Sequence, residues 1–392
     1  MVNDYSFPPL IRQALALGPP GQWAPSPSKD CIRLDVGYPY PEAIPVYQLS
    51  QSVSVLCLTE GDRPFQYLGS SAMANLKPLL QSRSAIRGIS TTTSEVLATA
   101  GSTQALDLAA RVLLHKNDLV AVESPTYMEA LEIFRNYTPH LIEYPIDHEG
   151  LDVKVLADDL EMRHARGLPL PKVLYSIPTF HNPTGVSLGL QRRKDLLSLA
   201  ELYNFLIIED DAYGQLSGPD LPPPIKALDT KKRVIYLGSM SKVVAPGLRI
   251  GWTAAPKPII TAMAHFKKDA DHPFTSAVTT RFLTEFDFDS HIKQLRHSYS
   301  QRLKTMLRAL KKHMPEKAKW SKPLGGFFVW VHLPYVNTSK LLPIALDQGV
   351  SYIPGSYFFT DPTQGLPYLR LSFSYAEEER IEQGIATLAN LI

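Results

Sequence analysis

The sequence contains only two cysteines, Cys31 and Cys57, among its 392 residues. Two cysteines form neither a disulfide framework nor the ligand set of a structural zinc site, so we expect free thiols and a reducing, cytoplasmic location. The sequence also lacks an apolar run long enough to cross a bilayer. The first residues show no basic stretch followed by an apolar core, so we expect no signal peptide and no membrane partner.

Neither sign of charge is in large excess: 40 Lys and Arg residues stand against 38 Asp and Glu residues, for a net charge of +2. Such a balance creates no overall field that attracts nucleic acid, and we expect no nucleic-acid partner. A local anion site is compatible with this balance. The hydrophobic fraction of 44% is enough for a sizeable core, and a chain of this length is expected to form two domains.

Proline is abundant, with 33 residues, and six of these fall within the first 27 residues. Because proline fixes φ and removes a hydrogen-bond donor, these first residues are expected to be extended and loop-like. We therefore assign residues 1–50 to an N-terminal arm that packs with a small domain or covers a pocket. Apolar side chains such as Leu15, Leu17 and Trp23 are available to anchor it.

The middle of the chain alternates short apolar runs with segments of helix length. This alternation predicts an α/β domain with a mostly parallel sheet, over residues 51–288. The pattern of alternating strands and helices changes near residue 290, and residues 289–392 are expected to form a smaller α+β domain. The predicted strands of the large domain are 119–122, 141–146, 173–177, 205–208, 234–237 and 250–254, with helices over 103–114, 127–136, 190–203 and 258–268.

A segment after the predicted strand 234–237 places two hydroxyls, one amine and one guanidinium close together, in Ser239, Ser241, Lys242 and Arg249. A lysine amine forms an imine with an aldehyde, and the hydroxyls and the arginine suit a phosphate. An aldehyde joined to a phosphate describes pyridoxal 5′-phosphate. Taken alone, the segment also fits a surface lysine beside a serine-rich turn.

Ser102 and Thr103 follow Gly101 at the start of a predicted helix. The free N–H groups and positive dipole end of a helix N-terminus suit a phosphate. An ordinary helix cap is the alternative interpretation of these two residues.

The run Glu209-Asp210-Asp211-Ala212-Tyr213 places carboxylates at a strand end, before a tyrosine. Asp210 is the first choice for keeping a pyridine nitrogen protonated, and Asp211 is the second. Tyr213 would bond the ring hydroxyl. Two adjacent aspartates also fit a metal site, but no nearby cluster of His or Glu completes a coordination shell, so no metal is expected.

Three further residues suit a substrate and its cofactor. Asn182, in an Asn-Pro-Thr-Gly turn, can donate to a phenolate-like oxygen. Tyr127 can stack on a planar ring, although a core tyrosine is an equal alternative. Arg370 offers a planar fork that matches a carboxylate, although a surface arginine on a strand fits the local sequence as well.

Taken in order, these motifs resemble the fold-type I pyridoxal-phosphate-dependent aminotransferases of class I/II, in the group close to kynurenine/2-aminoadipate aminotransferases. The resemblance runs from about residue 30 to the C-terminus. The matching motifs are Gly-Ser-Thr-Gln, Glu-Ser-Pro-Thr-Tyr, Asn-Pro-Thr-Gly, Glu-Asp-Asp-Ala-Tyr, Ser-Met-Ser-Lys with Pro-Gly-Leu-Arg-Ile-Gly-Trp, and Tyr-Leu-Arg-Leu-Ser-Phe.

The resemblance implies a role for each matched position. Lys242 is similar to the Schiff-base lysine, and Arg370 to the clamp for the substrate α-carboxylate, near Gly37. Arg12 is a weaker match to an arginine that reads an acidic side chain. Tyr67 is similar to a tyrosine that reaches the partner subunit's phosphate, which implies a homodimer with shared active sites. The implied cofactor-binding residues are Ser102, Thr103, Tyr127, Asn182, Asp210, Tyr213, Ser239, Ser241, Lys242, Arg249 and Tyr67.

The implied activity is ping-pong transfer of an amino group between an L-amino acid and a 2-oxo acid. Two departures from the family pattern concern substrate choice: the stretch that begins at Leu68, and the bulk of Tyr38 beside Gly37. They keep open oxidation, elimination, decarboxylation or carbon–carbon bond formation in specialised biosynthesis. A non-catalytic regulator is a further alternative, but only about 30 residues precede the first matched motif, fewer than a DNA-binding domain needs.

Overall fold

The computed structural model describes residues 7–15, 28, 30–67, 71–268 and 271–392. Its helices are α1 Pro9–Leu15, α2 Val46–Glu60, α3 Leu76–Ile86, α4 Ser102–Leu113, α5 Met128–Arg135, α6 Val153–Ala165, α7 Leu190–Leu202, α8 Ile225–Leu228, α9 Lys257–Phe266, α10 Pro273–Glu285, α11 Phe288–His313, α12 Thr338–Asp347 and α13 Glu378–Ala389. Its strands are β1 Ile32–Arg33, β2 Val96–Thr99, β3 Leu119–Ser124, β4 Leu141–Asp147, β5 Gly150–Leu151, β6 Pro171–Ser176, β7 Leu206–Asp210, β8 Val234–Ser239, β9 Gly251–Ala254, β10 Lys319–Trp320, β11 Phe328–His332, β12 Val350–Ser351, β13 Ile353–Pro354 and β14 Tyr368–Ser372.

The large sheet has eight strands in the order β2-β9-β8-β7-β6-β3-β4-β5. The five strands from β8 to β4 in this order are parallel to one another. The expected mostly parallel α/β sheet is therefore confirmed. The predicted strand 250–254 differs from its neighbours, because β9 runs antiparallel to both β8 and β2.

Both faces of the large sheet are covered, since neighbouring side chains of a strand point to opposite faces. Val120 packs with Phe134 of α5 and Met263 of α9 in one apolar cluster. The next residue, Ala121, packs with Leu160 of α6 and Ala200 of α7 in another. The near-continuous apolar runs of the sequence reflect this burial on two sides.

The second sheet has four strands in the order β10-β11-β14-β13 and packs with the long helix α11 and with α13 in one core. The segment near residue 33 joins this unit. Strand β1 pairs in parallel with β12, and the Leu34 carbonyl accepts a hydrogen bond from the Ser372 N–H at 2.7 Å. The polypeptide before the large domain thus contributes structure to the C-terminal unit.

The N-terminal arm is not wholly extended as expected, because Pro9–Leu15 forms the helix α1, which contacts α5. A proline at the first helical position lacks only an N–H that has no partner within a helix, so it does not prevent this turn from forming. The remaining arm residues 16–27, with Leu17 and Trp23, and the Leu68–Ser70 stretch lie outside the described residues. Within the described ranges, no helix combines the length and apolar character that crossing a membrane requires.

Candidate active site

A cavity of about 560 Å³ lies at the carboxyl ends of β3, β6, β7 and β8, closed on its other side by β11, β13 and β14. This is where open α/β sheets bind ligands, and the volume is ordinary for a small-molecule site. Twelve of the fourteen residues expected at the site line it: Gly37, Ser102, Thr103, Tyr127, Asn182, Asp210, Tyr213, Ser239, Ser241, Lys242, Arg249 and Arg370.

Lys242 occupies the turn after β8, and its Nζ donates to the Gly37 carbonyl at 2.8 Å. Burial disfavours the charged ammonium and lowers the pKa of Lys242 to about 8. The negative charge of Glu129 opposes this shift, the positive charge of Arg370 adds to it, and Asp210 opposes it more weakly. The amine can therefore release its proton near neutral pH, as a nucleophile or general base must.

Asp210 ends β7 and faces the cavity. Its Oδ2 accepts the Tyr175 hydroxyl at 2.9 Å, and its Oδ1 accepts the Ala212 N–H at 3.2 Å. Burial raises the pKa of Asp210 to about 6, although both hydrogen bonds favour the carboxylate. A cationic partner in the cavity would offset the cost of burying this carboxylate.

Asp211, the alternative carboxylate, lies on the other side of β7. Its Oδ2 accepts from the Arg87 guanidinium at 3.0 Å and from the Tyr236 hydroxyl at 2.9 Å. Asp211 does not line the cavity, so the geometry favours Asp210 for a ligand contact.

At one end of the cavity, Ser102 and Thr103 open α4 beside the guanidinium of Arg249. The Arg249 Nη2 donates to the Ala100 carbonyl at 3.1 Å. Gly101 has φ +88°, a backbone conformation that favours glycine, and a Cβ there would approach the Arg249 Nη2 to 2.6 Å and displace the guanidinium. With Ser239 and Ser241 nearby, this end offers hydroxyls, helix N–H groups and one positive charge.

Arg370 lies at the opposite end, on β14. Its Nη1 donates to the Asn182 Oδ1 at 2.9 Å and its Nη2 to the Asp35 carbonyl at 2.6 Å. The guanidinium lies 4.1 Å from the centre of the Phe328 ring, and burial lowers the pKa of Arg370 to about 10. Its Nε is buried without a hydrogen-bond partner in the described structure. A buried, incompletely bonded guanidinium is suited to bind an anion.

Tyr127 and Tyr213 supply aromatic surface between these two ends. Tyr213 is buried, and its ring makes edge contacts with Phe327 and Phe328. Tyr127 immediately precedes α5 and lines the cavity. The set as a whole fits pyridoxal phosphate: an anion cradle at one end, an amine and a carboxylate between aromatic rings, and a guanidinium at the other end.

A family model of aminotransferase class I and II matches residues 65–388. The chain belongs to this family. It is a pyridoxal-phosphate-dependent transaminase of fold type I, which transfers an amino group between an L-amino acid and a 2-oxo acid by a ping-pong mechanism. The resemblance drawn from the sequence is confirmed.

Named relatives agree with the family. The aminotransferase is 38% identical to aromatic-amino-acid aminotransferase 1 of Thermococcus litoralis, over 93% of this chain and 88% of that protein. The crystal structure of Pyrococcus horikoshii kynurenine aminotransferase aligns with a TM-score of 0.86 and 38% identity, covering 93% and 91% of the two chains. An uncharacterised HTH-type transcriptional regulator of Bacillus subtilis, YdfD, is 32% identical, over 93% of this chain and 74% of the regulator.

Two of the expected site residues of the aminotransferase lie away from the cavity. Tyr67 is 96% exposed, in the turn after Arg63–Phe65. Arg12 is exposed on α1. Neither side chain lines the cavity within the described chain, so both roles stay predictions.

Two functional neighbours were missed by the sequence analysis. Tyr175 is buried in β6, and in the sequence it is indistinguishable from the other strand residues that form the core. Its hydroxyl donates a hydrogen bond to Asp210. Glu129 lines the cavity from the first turn of α5. An acidic residue in a first turn is the usual complement to the helix dipole, so its type and position carry no functional signal.

Proposed function

We propose that the residues of this cavity divide the work of transamination among themselves, with Lys242 as the covalent and proton-carrying group. The supporting observation is one buried amine between an anion cradle and a buried guanidinium. Pyridoxal phosphate, when bound, supplies an aldehyde that takes up the amino group and a ring that withdraws electrons from Cα. The cradle formed by Ser102, Thr103, Ser239, Ser241 and Arg249 would hold its phosphate.

Asp210 and the ring-contacting residues orient and tune this group. The Asp210 carboxylate would face the ring nitrogen and keep it protonated, held in place by Tyr175. Asn182 and Tyr213 would donate to the ring oxygen, and Tyr127 would cover one face of the ring. The side chains that would contact the ring all line the cavity: Tyr127, Asn182, Asp210 and Tyr213.

Arg370 binds the α-carboxylate of the substrate in this proposal. Because Asn182 and Asp35 fix its guanidinium from two sides, the substrate's Cα is held in one orientation. Lys242, unprotonated above its pKa, would then accept the Cα proton and deliver it to the carbon of the cofactor that takes up the amino group. No second base is needed for this proton transfer.

The remaining cavity wall indicates the substrate's side chain. Val36, Tyr38, Met128, Phe328 and Ile353 are apolar or aromatic and line the space beside Arg370. An apolar or aromatic L-amino acid fits such a wall. The printed names of the relatives, an aromatic-amino-acid and a kynurenine aminotransferase, support this choice.

We also propose a homodimer with shared active sites in the cytoplasm. Tyr67 is almost fully exposed, and exposed apolar residues of α2, such as Tyr47 and Leu58, add to the available surface. Large exposed apolar areas are typical of interfaces. Cys31 and Cys57 are both free thiols, as suits a reducing compartment.

A panel of L-amino acids mixed with the holoenzyme tests the proposal. Aromatic and large apolar donors should convert the cofactor to its amine form, seen as loss of its yellow colour, and release the matching 2-oxo acid. Loss of carbon dioxide or consumption of oxygen without 2-oxo acid would contradict it and favour another reaction at the same site. Acidic donors reacting faster than every apolar donor would contradict the side-chain assignment.

A further inference from the structure

We propose that Glu129 binds the α-ammonium group of the incoming amino acid while Arg370 binds its α-carboxylate. The two side chains would recognise the zwitterion that every amino donor shares. This inference rests on the proposed function of Arg370 as the carboxylate clamp. It assigns a substrate contact to a residue outside the motifs of the sequence analysis.

Glu129 occupies the first turn of α5, two residues after Tyr127. Its half-buried side chain lines the same cavity as Lys242 and Arg370. A free amino acid that docks on Arg370 must bring its amine to the atom where Lys242 acts. Glu129 lines the cavity that this amine has to enter.

The other carboxylates of the cavity wall already have partners. Asp35 forms a two-bond ion pair with Arg33 at 2.8 Å. Asp210 is held by Tyr175 and would face the ring of the cofactor. Glu129 accepts a hydrogen bond from the neutral Tyr127 hydroxyl. The ion pairs between described residues do not include Glu129, so its charge is available to a cationic ligand.

Glu129 also acts strongly on the ammonium that the structure already contains. Among the charges that shift the pKa of Lys242, Glu129 exerts the largest effect, ahead of Arg370 and Asp210. It also raises the pKa of the Tyr127 hydroxyl, second only to burial. A negative charge that acts on the Lys242 ammonium will also attract a substrate ammonium in the same cavity.

The consequence is a difference between the two substrates of the ping-pong cycle. The amino acid carries an ammonium, whereas the 2-oxo acid carries a carbonyl at that atom. Glu129 therefore attracts the donor and adds nothing, or a weak repulsion, for the anionic acceptor. The Glu129 carboxylate therefore strengthens binding of the amino donor whatever the donor's side chain is.

The test is Glu129→Gln in the holoenzyme, with the two half-reactions measured separately by cofactor absorbance. The dissociation constant should rise about tenfold or more for phenylalanine and by a similar factor for alanine, since a charge-assisted hydrogen bond is lost. The constant for phenylpyruvate should stay unchanged or fall. Glu132→Gln is the matched control, because it makes the same change on the same helix outside the cavity.

A second measurement uses 3-phenylpropanoate, which has the carboxylate and ring of phenylalanine but no amine. Its inhibition constant should be unchanged in Glu129→Gln and should rise in Arg370→Lys. Glu129→Asp should restore part of the affinity for phenylalanine, and unchanged thermal unfolding of the variants should show that each has folded.

Three outcomes of Glu129→Gln would overturn the inference. They are equal changes for phenylalanine, phenylpyruvate and 3-phenylpropanoate, a loss that depends on the donor's side chain, and unchanged donor affinity. The proposed function fails differently: Arg370→Lys would then leave binding of all three carboxylates unaltered, whatever Glu129→Gln does.

Discussion

The carboxylates on the two sides of strand β7 have different kinds of partner. Asp210 faces the cavity, and the bonds it makes, from Tyr175 and the Ala212 N–H, come from neutral groups. On the other side Asp211 forms an ion pair with the Arg87 guanidinium at 3.0 Å. Of these two adjacent aspartates, Asp210 is available to a ligand, whereas Asp211 is bound within the protein.

A buried charge serves the stability of the fold where the chain supplies its counter-charge. Removing one member of such a pair leaves the other uncompensated and destabilises the fold. A buried charge without a counter-charge from the chain lowers stability until a ligand supplies one. The shifted pKa values of Asp210, Lys242 and Arg370 are what such a site produces.

The largest effect is expected from Lys242→Ala on the cavity side. Amino transfer should fall by at least about 10⁴-fold, because the covalent amine and the base are lost together. The yellow colour of the lysine-bound cofactor should disappear, as absorbance and borohydride trapping will show. Lys226→Ala is the control behind the sheet, where Lys226 pairs with Asp229 at 3.0 Å. The Lys226→Ala variant should be less stable than the parent but should still transfer amino groups. A colourless Lys226→Ala variant together with an active Lys242→Ala variant would contradict this assignment of the two lysines.

Asp210→Asn and Asp211→Asn should separate function from stability. Asp210→Asn should slow proton abstraction by roughly 10³-fold, measured by single-turnover absorbance, because the ring nitrogen loses its carboxylate. Asp211→Asn should instead lower the free energy of unfolding by about 3 kcal/mol, since Arg87 is left without its partner. Equal kinetic losses in the two variants would break the distinction between the two sides of β7.

The pH dependence of stability sharpens the same contrast. The folded pKa of Asp210, about 6, lies above the usual value of 3.8. The folded, cofactor-free chain therefore binds more protons than the unfolded chain between these pH values, and Asp210 makes stability fall as pH rises through this window. Above pH 6, Asp210→Asn should unfold at a higher denaturant concentration than the parent, with a free energy of unfolding greater by up to about 3 kcal/mol. A less stable Asp210→Asn variant would show that the carboxylate is structural.

The smallest effect is expected at Tyr67, outside the cavity of its own chain. If Tyr67 reaches the cofactor of a partner subunit, as proposed, Tyr67→Phe should weaken pyridoxal phosphate binding by about tenfold or less, since one neutral hydrogen bond would be lost. Equilibrium dialysis measures this change. Gln66→Ala is the neighbouring control, since its exposed side chain bonds Asp62 at 2.9 Å. Equal affinity in the parent and Tyr67→Phe would remove the argument for a shared site.

Much of the large domain could be predicted because its strands are buried on both faces. The predicted strand 234–237 is seen as β8, and the helix expected over 190–203 is seen as α7. Helices α2 and α10 were not predicted, because α2 exposes apolar residues such as Val46 and Leu58, while α10 buries several polar ones. Their patterns do not follow a single apolar stripe. Strand direction at β9 depends on pairing partners that no local pattern reveals.

The amino-acid sequence alone is enough to identify the chemical groups of the site: a lysine, a pair of aspartates at a strand end and an arginine, in motifs whose order resembles a known family. The folded structure was needed to show that Asp210 faces the cavity, that Tyr175 bonds Asp210, and that Glu129 lines the same cavity. The physical reason is that residue type and local period are written in the chain. The direction of a side chain at a strand end, and the charges around it, arise from elements far apart in sequence.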